Sequence, residues 1–572
     1  MGEIKLGLCL LLLSCYGYLQ YLRKFLRLEF CLGLLFSGIG GVLFLAGILN
    51  LLPEAAWCIW LCGLLLAGRS VLRKESVKNV LSYGTLFFLL AAVFFLFLLR
   101  GSEFTGYDNF SHWAMVSRLI TQQGRFPNYN DYNILFPSYP LGSAAFIFYV
   151  TKMAGHSAEW MHMYAQALLM IGMLVSLFAF ARGPVQSLAV AVCAVFLLCG
   201  NGSVYDLLVD CLLPVTAISA AATLIYYNSD LRQKLWVAVP YALFLVSIKN
   251  SGIFFVLLLY GYLWFSLRQQ NVSLKIWLSL LSVPVLSLLV WQRHVQAMFH
   301  EGMLTKHALS LSYYRSIVGG KSFTDIYVIV RRMASKVLSV SNHALWLLLA
   351  VFVLWLLCKR IAVSACPETT RILILSVVAY ILYQAGTLGM YLFSMPLEEA
   401  LILAEYNRYH QTIVLFLAGL FLFEFMLVLA AFTPPLHSKK WITPILLAML
   451  LVFSYWMIHP SFSSLKKQHL AGSERAKFDQ LIEQYDIQPG GNYLVLTRPD
   501  RYDAGYLEHL TKYLLSAQIA DVVPPTAIEG FDLTVYDYVV IFEETDEANS
   551  LLFQLSGSTG PVACLHGTGN WE

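Results

Sequence analysis

Few residues in this chain can do acid, base or phosphate chemistry, and most of them fall at the edges of long apolar runs. Asp108 follows the run LFFLLAAVFFLFLL (residues 86 to 99), in the stretch RGSEFTGYDNFSHWAMVSRLITQQGRFP. A carboxylate there can take a proton from a hydroxyl, or it can cap the helix that Asn109 to Gln122 predicts, because Asp is a favoured N-cap. That helix carries Phe110, Trp113, Ala114, Leu119 and Ile120 on one side, with Ser111, Ser117 and Arg118 among its polar positions. This is the pattern of a helix lying in a membrane interface. His112 lies on the same helix and is taken as a substrate contact. Asp206 and Asp210, in NGSVYDLLVDCLLP, are four apart, which on a helix places both carboxylates on one face. Like charges at that spacing repel unless one is neutral or a cation binds between them. An N-terminal Asp favoured by the helix dipole is the simpler reading for Asp206. Lys249 interrupts the apolar stretch VSIKNSGIFF, where Asn250, Ser251 and Gly252 break the helix. Its ammonium can pair a lipid phosphate or snorkel to the membrane edge. Arg408, in LEEALILAEYNRYHQTIV, offers a planar guanidinium for bidentate phosphate contact, or an ion pair with Glu405 three residues before it. A charge at mid-bilayer costs about 2.5–3.5 kcal/mol on insertion scales, so each of these residues asks for a reason.

The elements that must hold them are membrane helices. Of 572 residues 58% are hydrophobic and 13% charged, about half the charge of a soluble domain. The apolar runs are about 17 to 25 residues long, enough for a helix to cross roughly 30 Å of hydrocarbon. The period-two alternation of a β-barrel is absent from a run such as 86 to 99. The fold class is therefore a polytopic α-helical membrane protein. The N-terminal run lacks a small-residue cleavage site and reads as a first membrane helix. A net charge of +4, thinly spread, gives no footprint for nucleic acid. Nine of the 11 cysteines sit in apolar runs, where Cys behaves as a small hydrophobe. Neither a disulfide framework nor a zinc pattern is present, and no cofactor or metal is assigned.

Short basic loops set the orientation. Arg23/Lys24/Arg27, Arg69/Arg73/Lys74/Lys78, Arg232/Lys234, Arg268/Lys275, Lys359/Arg360/Arg371 and Lys439/Lys440 go inside. This leaves 100–137, 293–336, 394–410 and everything after 459 outside. Parity then requires the run 138–153 to be interfacial or re-entrant, which gives about 14 transmembrane helices. The loop 293–336 is the basic one, with His294, His300, His307, Arg315, Lys321, Arg331, Arg332 and Lys336. Lacking a metal spacing, its histidines read as a solvated loop. The domains are thus 1–78, N-terminal helices; 79–458, a membrane core with three external loops; and 459–572, a small α/β domain. In that domain YLVLT (493–497) and YVVIF (538–542) alternate with a helical stretch near 503–518.

An apolar helix ending in an acid in the first large external loop is followed by an interfacial helix and a Tyr-Pro-Leu-Gly stretch beginning at Tyr139. A helix opening with Asp and another ending in Lys come next. Across residues 79 to 270 this order resembles the polyprenyl-phosphate-dependent glycosyltransferases of the GT-C superfamily, which include protein O-mannosyltransferases and the lipid A aminoarabinose transferase. The likeness is one of pattern: Asn109 stands where many relatives have a second acid, and three helices precede the core. It implies that Asp108 acts at the catalytic centre and that Lys249 faces the donor phosphate. Arg408 would add a second counter-charge, and His112, Tyr139, Asp206, Asp210 and Glu405 would contact substrate. The implied reaction is an inverting displacement that moves a sugar from a polyprenyl-phosphate donor to an extracytoplasmic acceptor, a cell-surface glycan, lipid or protein. With no D-x-D triplet, a metal-dependent nucleotide-sugar transferase is disfavoured. The competing classes are a lipid-linked polysaccharide polymerase or ligase, and a transporter or flippase. Transporters typically show repeated halves and mid-membrane polar helices, whereas here the charges gather at one face.

Overall fold

The computed structural model describes residues 2–131, 133–232, 234–268, 270–300, 311–361, 366–436, 441–500, 504–556 and 560–564. His307, Lys439 and Lys440 lie outside them. The chain forms two compact units, one of Met1–Arg100, Leu119–Tyr129 and Phe136–Lys466, the other of Gly101–Arg118, Asn130–Leu135 and Lys467–Glu572.

The first unit is helical because its apolar runs can satisfy their backbone polar groups in hydrocarbon only within themselves. Among the described residues seven helices are long and apolar enough to cross a membrane: Leu28–Ile48, Leu52–Leu72, Glu159–Phe180, Leu274–Met298, His343–Arg360, Cys366–Phe393 and Tyr406–Ala431. Shorter apolar helices are Leu6–Leu22, Tyr83–Leu99, Gly183–Leu198, Leu212–Tyr226, Leu235–Ile248, Gly252–Leu267 and Ile442–Ile458. The chain is a helical membrane protein. Glu159–Phe180 is buried along its whole length, with Leu28–Ile48 and Tyr406–Ala431 mostly so, and these form the centre. Leu52–Leu72, Leu274–Met298 and His343–Arg360 leave most of their apolar surface open, as helices facing lipid would. Small residues allow close approach where helices touch. A Cβ on Gly17 would overlap the Gly63 carbonyl oxygen, and one on Gly63 would overlap the Ser14 hydroxyl.

The run expected to be interfacial or re-entrant, 138–153, contains a helix, Gly142–Ala154, in which every residue but Lys152 is buried. A helix lying on the membrane surface would keep a wet face, so burial overturns the interfacial alternative and agrees with the re-entrant one; its 13 residues rise about 20 Å. The basic loop 293–336 is also corrected. Helices Leu311–Gly319 and Phe323–Val337 occupy part of it, and His294 is buried on the face of Trp291, 5.4 Å between rings. Lys321 is not solvated either: its ammonium donates to the carbonyls of Tyr391 (2.8 Å), Leu392 (2.9 Å) and Met395 (2.7 Å). These bonds satisfy the C-terminal end of Cys366–Phe393, where a cation also suits the helix dipole.

The second unit holds a four-stranded sheet of β1 (Asn492–Leu496), β2 (Ile519–Val523), β3 (Tyr538–Ile541) and β4 (Val562–Cys564), in the order β2-β1-β3-β4. β1 is parallel to both neighbours, with Leu494 opposite Asp521 and Val539, and β4 runs antiparallel to β3. Helix Ala504–Leu515 makes the β1–β2 crossover. Leu494, Leu496, Val539, Ile541, Ala548, Leu552 and Ala563 form its core. Two pieces of the first loop, 101–118 and 130–135, belong to this unit rather than to the membrane core. Phe110 packs on Tyr506 and Tyr513, at 5.7 and 5.2 Å between rings. Arg118 donates to the Tyr513 carbonyl and to Ser516 Oγ, and Arg475 donates to the Phe104 carbonyl at 2.8 Å. Residues 109–117 are buried without exception, Ser111 and Ser117 included. The amphipathic interfacial helix is therefore overturned: the segment starts with a π-turn at Asn109–Trp113, and its apolar side packs against protein.

Candidate functional site

The helix that ends at Ile248 stops because Lys249 is extended, with φ −159° and ψ 151°, and the next helix begins at Gly252. A Cβ on Gly252 would overlap the Leu245 carbonyl oxygen, so the break needs a glycine there. The break turns Lys249 into the interior, where its ammonium lies 3.1 Å from Asp210 Oδ1. Arg408, in the first turn of Tyr406–Leu436, brings Nε to 3.6 Å from Asp210 Oδ2 and 3.5 Å from Glu405. One carboxylate thus bridges two cations, and the three groups come from three distant parts of the chain. Tyr409 lies between them, its ring 5.7 Å from Lys249 Nζ and 5.6 Å from Arg408 Cζ. The Tyr139 ring approaches Lys249 at 6.0 Å.

The backbone around this cluster is fixed by side chains. Asn201 Nδ2 donates to the carbonyls of Asp210 (3.3 Å) and Arg408 (3.1 Å), and Thr412 Oγ1 donates to the Asp210 carbonyl at 3.4 Å. The Tyr383 hydroxyl donates to the Tyr409 carbonyl at 2.8 Å. Burial opposes the Lys249 ammonium, but the Asp210 carboxylate more than offsets this and holds its pKa above the usual lysine range. Burial pushes the Tyr139 phenol up to about 12, so it remains a hydroxyl at neutral pH.

Of this cluster Tyr139, Asp210, Lys249, Tyr383, Tyr409 and Thr412 line a cavity of about 340 Å³, within the range of small-molecule sites, with Arg408 behind Asp210 and outside the lining. Its lining mixes charged and polar side chains, among them Tyr139, Asp210, Lys249, Asn250, Thr387 and Tyr409, with the apolar Leu213, Ile253, Phe254 and Met390. The ammonium can bind an anion, and the apolar side chains can bind hydrocarbon.

The expected site residues divide. Lys249, Arg408, Asp210, Glu405 and Tyr139 come together. Asp206 and Asp210 do not share a helix face: residues 201–211 are turns and bends, and the helix starts at Leu212. Gln166 Nε2 donates to the Asp206 and Leu208 carbonyls at 3.2 and 3.1 Å, so those groups are satisfied without a helix. Asp108 and His112 belong to the other compact unit. Asp108 is no N-cap, since its backbone is helical (φ −63°, ψ −24°) and its side chain makes no capping bond. His112 is buried, edge-on to Trp113 at 4.9 Å. Two contributions went unread in the sequence. Tyr383 and Thr412 support the cluster, and their signal was only that they are polar in apolar runs. Glu424 lies inside Tyr406–Ala431, fully buried, both oxygens without a hydrogen-bond partner among the described residues. It was visible as the lone acid in LFLFEFMLVL.

Among the described residues no group of three or more His, Cys, Asp or Glu could hold a metal. No family model, curated protein or solved structure matches this chain.

Proposed function

We propose that the chain is a polytopic membrane glycosyltransferase that moves a sugar from a polyprenyl-phosphate donor to an extracytoplasmic acceptor by inverting displacement. The observation that carries this reading is the cavity lined both by Lys249, which shares the Asp210 carboxylate with Arg408, and by hydrocarbon side chains, as a phosphate on a long apolar tail requires. Lys249 and Arg408 stabilise charge that develops on the leaving phosphate, the step in which preorganised counter-charge lowers the barrier most. The seven shorter apolar helices cross the membrane together with the seven long ones, in thinner or tilted stretches of bilayer, and the α/β unit lies on the extracytoplasmic side of a cell membrane. The acceptor is a cell-surface glycan, lipid or protein.

The test is Lys249→Met with a polyprenyl phosphate as probe. The variant should bind it about 10- to 100-fold more weakly, the loss of one charge-assisted hydrogen bond, while binding of the acceptor is unchanged. Unaltered polyprenyl-phosphate affinity would show that the lysine merely snorkels.

Glu424 favours a second reading, transport, because an ionisable side chain at membrane depth marks proton or substrate pathways. Under the glycosyltransferase reading Glu424→Gln leaves the rate of sugar transfer within about twofold of the native one, since Glu and Gln side chains are near isosteres and Glu424 has no part in that reaction. Collapse of lipid translocation in liposomes carrying Glu424→Gln would favour the transporter instead.

A further inference from the structure

A second cavity lies far along the chain from the Lys249 cluster. Tyr83–Leu99 packs against Glu159–Leu174 but stands off from Gly183–Leu198, and the gap is a groove of about 460 Å³. Leu86, Leu90, Phe94, Leu188, Ala191 and Val195 line it, and nearly all of its walls are apolar. The span from Pro184 to Leu198 gives it a length of about 20 Å, somewhat more than the depth of one leaflet. At the Tyr83 end the groove does not close. Tyr83, Leu86, Phe178 and Ser187 also line an adjoining pocket of about 530 Å³ that contains Arg27, Glu29 and Ser82.

The polar end is built from one cation and one anion. Arg27 Nε holds Glu29 Oε2 at 2.8 Å, and its Nη1 donates to the Tyr226 hydroxyl at 3.0 Å, which fixes the guanidinium plane. The Glu29 side chain is nine-tenths buried. Arg27 Nη2 and Glu29 Oε1 have no partner among the described residues. A buried carboxylate beside a guanidinium repels a headgroup that carries only negative charge and matches one that carries both signs. A primary ammonium donates hydrogen bonds to a carboxylate; a quaternary one has no N–H to give.

We propose that this groove and pocket bind one zwitterionic phospholipid of the phosphatidylethanolamine class, its acyl chain between Tyr83–Leu99 and Gly183–Leu198, its phosphate on Arg27 and its ammonium on Glu29. The site is independent of the glycosyl-transfer reading.

The experiment uses the full chain in nanodiscs containing phosphatidylethanolamine with a diazirine near the end of one acyl chain. Photolabelling should favour Leu90, Phe94, Ala191 and Val195 several-fold over Leu65 and Leu257, exposed apolar residues outside this groove's lining. Equal labelling would overturn the proposal, because the groove would then hold only exchanging bulk lipid. In native mass spectrometry phosphatidylethanolamine should be retained about tenfold better than phosphatidylcholine or phosphatidylglycerol, the worth of one hydrogen bond to a charged group. Glu29→Gln should erase that preference, and Ala191→Phe, which fills the groove, should lower retention of all three lipids. Retention of phosphatidylcholine or phosphatidylglycerol equal to that of phosphatidylethanolamine by the native chain would also overturn it.

Discussion

Asp108→Asn should abolish sugar transfer, lowering the rate by about 10²–10⁴-fold, the usual contribution of a positioned general base, while the melting temperature changes by no more than a degree or two. The two halves of that expectation have separate grounds. Replacing a working N-cap typically costs about 1 kcal/mol, but Asp108 has a helical backbone and makes no capping bond, so Asn removes no cap. The amide keeps the shape and one acceptor oxygen, but it loses the negative charge and with it the ability to take a proton. The rate half rests on the resemblance to polyprenyl-phosphate glycosyltransferases, in which the acid of the first external loop acts at the catalytic centre. Initial rates with a polyprenyl-phosphate sugar, measured beside thermal melts of the same preparation, separate the two. Full activity in a folded variant would remove Asp108 from the mechanism. Loss of activity accompanied by a fall of many degrees would show that its role is to hold the segment 101–118 in its unit.

What could be read in advance follows from how the information is stored. Helices longer than about 18 apolar residues announce themselves in any membrane chain, and in so apolar a chain Lys249, Arg408 and Asp210 stood out because charge is rare there. The strands Tyr538–Ile541 and Asn492–Leu496 were visible as short β-branched and aromatic runs, whereas β2 was hidden behind the helical stretch preceding it. Convergence was not legible. Residues 210, 249 and 408 meet only because the helix breaks at Lys249 and Tyr406–Leu436 brings Arg408 beside both, and no local period encodes that. Two expectations failed for definite reasons. An amphipathic pattern reports an apolar face without naming its partner: the Phe110 side of 109–117 meets Tyr506 and Tyr513, almost 400 residues later, instead of lipid. Four-residue spacing of Asp206 and Asp210 implied a helix, but Gln166 satisfies the backbone there and the turn persists.

Asp210→Asn should act in opposite directions on stability and on anion binding, and this double sign is its signature. Asp210 is the shared partner of Lys249 and Arg408, with only 9% of its side chain exposed. Removing one partner of a buried ionic cluster leaves charges unpaired and typically costs about 3–5 kcal/mol. Arg408 keeps Glu405 at 3.5 Å, but that carboxylate is 58% exposed and its pairing is screened. The loss should therefore fall near the lower end, about 3 kcal/mol, and appear as a lower melting temperature. Meanwhile the two cations no longer satisfy an internal carboxylate. A phosphate entering the cavity of the native chain has to share or displace Asp210; in the variant it no longer competes with that carboxylate for Lys249 and Arg408. Affinity for a polyprenyl phosphate should rise about tenfold, and adding that lipid should restore more of the lost melting temperature to the variant than it adds to the native chain, since a ligand that binds only the folded state stabilises it more as its affinity increases. Binding isotherms and melts with and without the lipid measure both. If Asp210→Asn weakens phosphate binding, the carboxylate serves to aim the two cations, and the native cavity is already set for its anion.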